Sequence, residues 1–269
     1  MGRTQRSKHD RTNPILEFDD QSEAIIHPRK YATQDILPEG CVLCFFYDVL
    51  AYLAAQGLLR KVGEFKSENG PLPIYVHEAG EHSITVMNPM VGAPIAAGVM
   101  EELIAHGCRK FIIVGGAGSL VHELVAEHLV IPIAAVRDEG VSYHYLPPSR
   151  EVTPDEEAVA VIEQVLQERQ LPYVRTKTWT TSAFYRETAT KREMRIAEGC
   201  SVVEMEAAAF FAVAKFRGVQ AAQLLYAGDL VVPEGWDGRG WYSRGEFRTM
   251  LFGLALEAVE VLVKKKKTV

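Results

Sequence analysis

The sequence has little that would tie it to a membrane, a nucleic acid or an oxidising compartment. No apolar run approaches the ~18–20 residues of a membrane span. The opening MGRTQRSKHDRTN is polar and basic with no apolar stretch behind it, so it is not read as a secretory signal. Arg6 stands where a myristoylation motif at Gly2 would need Ser or Thr. The formal net charge is −6, which recruits neither nucleic acid nor an anionic bilayer. Cysteines number only four: Cys41, Cys44, Cys108 and Cys200. Cys41 and Cys44 have redox or zinc spacing, yet they lie in CVLCFF, which reads as a buried strand. Strand positions three apart point to opposite faces, and there is no second pair to complete a zinc site. The thiols are therefore expected to be structural, in a reducing cytoplasmic compartment. His122 and His128 also lack ligand spacing, and no metal is expected.

What is present is the pattern of an α/β protein. The 269 residues are 48% hydrophobic and 24% charged, enough for a core that needs neither disulfides nor a structural metal. Residues 1–13 read as a disordered basic leader and 14–269 as a single domain, since no repeat and no Pro/Gly/Ser linker divides the chain. Strands are expected at 41–46, 110–116, 128–136, 173–181 and 220–228, with a hairpin over 73–87 turning at Gly80. Helices are expected at 48–59, 93–107, 154–169 (Pro154 in its first turn), 187–199 and 247–263. The run 201–218 begins as a strand and continues as a helix, and the closing Lys264–Lys267 suit a helix C-terminus. Val-, Ile- and Leu-rich strands between helices imply a mostly parallel sheet covered on both faces. Ligands of such sheets sit beyond the carboxyl ends of strands.

Several strand ends carry chemistry. Gly115-Gly116-Ala117-Gly118 follows KFIIV; it completes neither a dinucleotide fingerprint nor a P-loop and by itself marks a tight turn with close backbone approach. That incompleteness argues against an NAD-binding enzyme. Glu204-Met205-Glu206 lies where a strand passes into AAAFFAVAKF. Two carboxylates there suit a sugar diol, whose hydroxyls they can accept, or else a helix N-terminus. Asp229 ends QLLYAG; it is either an acid with its pKa raised by an apolar strand end or a turn former. Phe184, Tyr185 and His144 fall in loop-like segments, as stacking partners for a planar base or as ordinary packing.

In combination, GGAGSL, VRDEGVSYHY, TTSAFYRET, VVEMEAAAFFAVAKFRGV and LLYAGD resemble the nucleoside phosphorylase family. That family includes uridine phosphorylases, hexameric-type purine nucleoside phosphorylases and methylthioadenosine nucleosidases. The resemblance runs from about residue 40 to the C-terminus. It implies a three-layer αβα sandwich with a central twisted mixed, mostly parallel sheet, assembled as a homodimer or a hexamer (trimer of dimers). It implies cleavage of the N-glycosidic bond of a nucleoside, with no cofactor beyond phosphate as a possible co-substrate. By position, Glu206 holds the ribose hydroxyls, Met205 packs on the sugar and Glu204 supports them. Asp229 protonates the leaving base, which favours a purine-type base. Phe184 stacks on the base, with Tyr185, His144, Ala117 and Gly118 around it, and Gly115 and Gly116 line the anion end.

Three positions depart from the phosphorylase pattern: Asp48 and Ile113 stand where phosphate arginines are kept, and Gly116 where a hydroxyl is kept. Loss of two guanidinium forks and a hydroxyl removes most of the charge-assisted bonding that a phosphate dianion needs. Asp48 is instead placed to activate water. The family pattern thus favours phosphate and these residues favour water. Lys61, Lys66 or an Arg of a neighbouring subunit are the groups that could rebuild a phosphate site, and a non-catalytic nucleoside-binding or storage relative is the remaining alternative.

Overall fold

The computed structural model describes residues 13–28, 36–68, 70–79 and 82–265. The expected leader (apart from Asn13), the turn at Gly80, Lys266 and Lys267 lie outside them. One 11-stranded mixed sheet organises the described chain. Its parallel centre is β4 (His82–Met87), β1 (Gly40–Cys44), β5 (Lys110–Ser119) and β10 (Gln220–Val232). A second parallel set is β6 (Leu129–Asp138), β8 (Tyr173–Thr181) and β9 (Cys200–Glu204). Antiparallel pairings of β10 with β6 and of β5 with β9 bend the sheet into a closed ring of five strands, β5, β10, β6, β8 and β9. Around it, β2 (Arg60–Ser67) and β3 (Gly70–Ala79) extend the β4 edge, β7 (Glu151–Val152) pairs with β6, and β11 (Gly235–Asp237) folds back on β10.

Helices cover both faces because strand residues alternate between two cores. Ile112, Val114, Leu224 and Tyr226 face α1 (Tyr47–Ala55), α3 (Glu156–Glu168) and α6 (Gly245–Lys264). Phe111, Ile113 and Ala221 face α2 (Ala93–Ala105) and α5 (Ala207–Arg217). The remaining helix, α4 (Ala189–Ala197), follows β8 and packs on β9. The expected αβα sandwich is therefore observed. Cys41 and Cys44 enter opposite cores, and all four cysteines are free and buried.

Sequence periodicity misplaced three features. The glycine run forms no turn: β5 continues through it, because residues 115–117 pair with β10 and Gly118–Ser119 with β9. Asp229 does not end its strand; β10 runs on to Val232 past an irregularity between Ala227 and Leu230. Pro154 stands before α3, not in its first turn, since Asp155 is the N-cap and its Oδ1 accepts from Ala158 N at 2.9 Å. Strand β2 was not expected, because its charged, alternating RKVGEFKS is the dress of a solvated edge.

Candidate active site

The β9–α5 junction places two carboxylates in contrasting surroundings. Glu204 Oε1 accepts from Thr178 Oγ1 (3.2 Å) and Thr180 Oγ1 (2.6 Å), and Oε2 from Glu206 N (2.7 Å) and Ala207 N (2.6 Å). Four donors occupy a carboxylate's four acceptor positions, so Glu204 caps the start of α5 and has none left for a ligand. Thr180 Oγ1 in turn accepts from Ala208 N at 3.0 Å. Glu206, buried two residues on, accepts at Oε1 from Gly92 N at 2.5 Å, and the Met205 N–H is its second backbone donor. Gly92 and Met90, in the turn that delivers this N–H ahead of α2, both have positive φ; glycine adopts that conformation freely. Burial, and then the Glu204 charge, push the Glu206 carboxyl up to about 8. A buried acid short of donors is completed by a ligand that brings hydroxyls or positive charge. Met205 lies between the two and is half-buried.

Asp229 occupies the irregular part of β10. A Cβ at Gly118 would stand 3.4 Å from Asp229 Oδ1 and 3.0 Å from Val203, so the bare glycine leaves the carboxylate its space. Asp229 Oδ2 accepts from Trp236 Nε1 of β11 at 2.6 Å. Glu187, just after the short helix 184–186, is subject to the Asp229 charge; burial first and that charge second push its carboxyl up to about 7. Sequence reasoning missed both Trp236 and Glu187. Phe184 and Tyr185 sit on the same short helix, 52% and 90% exposed, with ring centroids 4.2 Å apart. The structure thus brings Gly118 to Asp229, and the Asp229 charge acts on Glu187, next to the short helix that bears Phe184. It does not join His144 to them: His144 is exposed on the short helix 142–144, which packs against α5.

The expected acceptor positions separate onto the two faces of β5. On the α5 face, a Cβ at Gly115 would meet the Phe45 ring at 2.9 Å, and Phe45 packs edge-on against Phe210. Ile113 is fully buried in that core. On the α6 face, Gly116 lies against Tyr226, whose hydroxyl accepts from Arg248 Nε and Nη2 at 3.2 Å each. Arg248 also donates to Trp241 O at 2.6 Å and pairs with Asp48 Oδ1 at 3.4 Å. Asp48 is therefore engaged by a guanidinium that the sequence reading did not place there. Ala117 packs in a small core with Leu225 and Ala227. Lys61 pairs with Glu64 at 2.9 Å on the edge strand β2.

The fold and this edge define a class: a ring-closed αβα sandwich with a donor-poor buried carboxylate where β9 enters α5. The chain belongs to the phosphorylase superfamily, whose model matches residues 41–242. It is similar to a uridine phosphorylase of Treponema pallidum, 29% identical over 156 residues, or 54% of this chain and 60% of that one. It is also similar to a guanosine phosphorylase of Halorubrum lacusprofundi, 26% identical over 52% of this chain and 58% of that one. The chain thus matches about 60% of the length of these curated relatives. An AMP nucleosidase of Bacteroides thetaiotaomicron shares the fold, with a TM-score of 0.68 at 24% identity over 85% of this chain and 90% of that one.

Proposed function

We propose that the protein is an enzyme that cleaves the N-glycosidic bond of a nucleoside, with a purine-type base and with water as the acceptor. The observation that carries this reading is Glu206, buried beside a fully satisfied Glu204 and left with two backbone donors, Gly92 N and Met205 N, for four acceptor positions. A ribose diol supplies the missing donors. A sugar turning oxocarbenium-like supplies the positive charge that a carboxylate in a water-poor site stabilises most. Asp229 serves as the acid that protonates a ring nitrogen of the leaving base, and Phe184 and Tyr185 offer aromatic faces to it. The C1′–N bond breaks with its electron pair on the base, and the acceptor then adds to C1′.

Water as acceptor is supported by the α5 face of β5. Ile113 is buried and apolar, and the Phe45 ring covers Gly115, so neither offers charge-assisted bonds to a phosphate. Asp48 activates that water only in a state where its pair with Arg248 opens. One observation favours phosphorolysis instead: Arg248 brings a guanidinium to Tyr226, beside Gly116. Homodimers or hexamers are part of the proposal, as the resemblance implies. The test is chromatographic assay of free base after incubation with a panel of purine and pyrimidine nucleosides. Purine release is expected; failure to release base from any member would sink the reading.

A further inference from the structure

The chain from Asn88 to Gly92 joins β4 to α2 through a strained turn. Met90 has φ 63°, in the left-handed region that a residue with a Cβ adopts only at a cost. Asn88 offsets part of that cost: its Oδ1 accepts from Met90 N at 2.8 Å, a local turn that asparagine forms readily. Gly92 follows with φ 108° and ψ 129°, a conformation open to glycine and to little else. A Cβ at Gly92 would meet nothing within 4 Å, so backbone angle and not space calls for glycine there. The two positive φ angles set the direction of one donor. Gly92 N reaches Glu206 Oε1 at 2.5 Å, across 114 residues of sequence. With Met205 N as the other backbone donor, two of the four acceptor positions of Glu206 are filled and two remain.

We propose that Asn88 and Gly92 are positioning residues for Glu206, and that their turn aims its two remaining acceptor positions at a vicinal diol, which selects ribonucleosides over 2′-deoxyribonucleosides. This inference rests on Glu206 being the sugar-binding acid of the proposed reaction. Glu206 is buried, so a carboxylate that swings off the Gly92 N–H finds no bulk water to replace the bond. A ribose diol brings two O–H donors and fills both open positions. A 2′-deoxy sugar brings one and leaves a buried acceptor unpaired, which is how a polar site rejects a substrate that lacks a hydroxyl. Strain of the kind seen at Met90 persists only where the surroundings impose it. Here β4 holds one end of the turn through its pairings with β1 and β3, and α2 holds the other by packing on α5. Relaxing either positive φ would turn the Gly92 N–H away from Oε1.

The test is the ratio of kcat/KM for adenosine or inosine to that for the matching 2′-deoxynucleoside. It is measured on the full-length enzyme and on turn variants whose folding is verified by thermal melts. The parent should favour the ribonucleoside by about 10–100-fold, the range for one hydrogen bond to a charged group. Gly92→Ala, which introduces no clash, and Asn88→Ala should each lower that ratio about tenfold, since the ribonucleoside loses the better-aimed bond. Adding Met90→Gly to Asn88→Ala should restore the ratio, because glycine holds the left-handed angle unaided. A turn that merely supports the fold would slow both substrates equally. A parent that does not prefer the ribonucleoside, or a ratio that stays put in either folded variant, overturns the inference. Glu206→Gln separates the two levels. Wild-type turnover in that variant fails the sugar-site reading and this inference with it. Lost turnover there, with an unmoved ratio in the turn variants, fails this inference only.

Discussion

The base side and the acceptor side of the proposed sugar site are built from opposite materials. On the base side, Trp236 brings an indole donor to Asp229 in the irregular stretch of β10, and the Asp229 charge acts on the half-buried Glu187. On the acceptor side, Phe45, Gly115 and Ile113 present an aromatic ring, a bare backbone and an aliphatic core residue. The difference teaches where the chain commits binding energy. Polar groups gather at Asp229, where the proposed base leaves, while Phe45, Gly115 and Ile113 on the α5 face offer no charge to hold a dianion. Between the two, the start of α5 holds one acid with every acceptor position filled and one with positions left for the proposed sugar.

The largest expected effect undermines both sides at once. Glu204→Ala orphans two backbone N–H groups and two hydroxyls. It should cost about 3–5 kcal/mol of stability, read as a large drop in Tm with loss of all activity. Glu206→Gln should leave the fold intact and slow base release by about 10²–10³-fold, the size of one lost preorganised group. It should also alter stability in a pH-dependent way. The Glu206 carboxyl is raised in the folded protein from 4.5 to about 8. Its contribution is therefore full below pH 4.5 and lost as pH climbs to about 8. The variant should gain on the parent in denaturation at pH 9 and gain nothing at pH 4.5; the reverse order would remove the donor-poor acid from the account.

Asp229→Asn addresses the base side alone. It should cost about 10²-fold or more in kcat/KM on a purine nucleoside, and less than tenfold on a nitrophenyl riboside. Gly116→Ser restores a hydroxyl at the expected acceptor position on the other, α6 face of β5. Its Cβ would stand 3.1 Å from the Tyr226 ring, so about 1 kcal/mol of stability is expected to go. Turnover should change less than about threefold on that scale, with no response to added phosphate. A strong phosphate stimulation in this variant would blur the contrast between the two sides.

The fold and the placing of Glu204 and Glu206 at the β9–α5 junction were legible because they are written locally. Strand β9 and the Ala-rich α5 adjoin in sequence, so the run VVEMEAAAFF fixes both Glu204 and Glu206 at one junction. The alternation of β5 and β10 likewise exposes two cores in a single reading. Ring closure was not legible, since pairing β5 with β9 and β10 with β6 depends on curvature rather than periodicity. Trp236, Glu187 and Arg248 were missed for a related reason: each meets its partner through loop geometry or helix docking. The Asp48–Arg248 pair spans 200 residues. A helical pattern that appeared to start at Glu187 hid this residue, and the N-cap at Thr188 is the signal that would have released it.

The central claim is most directly tested by product identity. A purine nucleoside that the enzyme cleaves is incubated with it in rigorously phosphate-free buffer and again with added phosphate, and the sugar product is identified by NMR. The account predicts full base release without phosphate and free ribose in both reactions. Strict dependence on phosphate, with ribose 1-phosphate formed in step with the base, would contradict it.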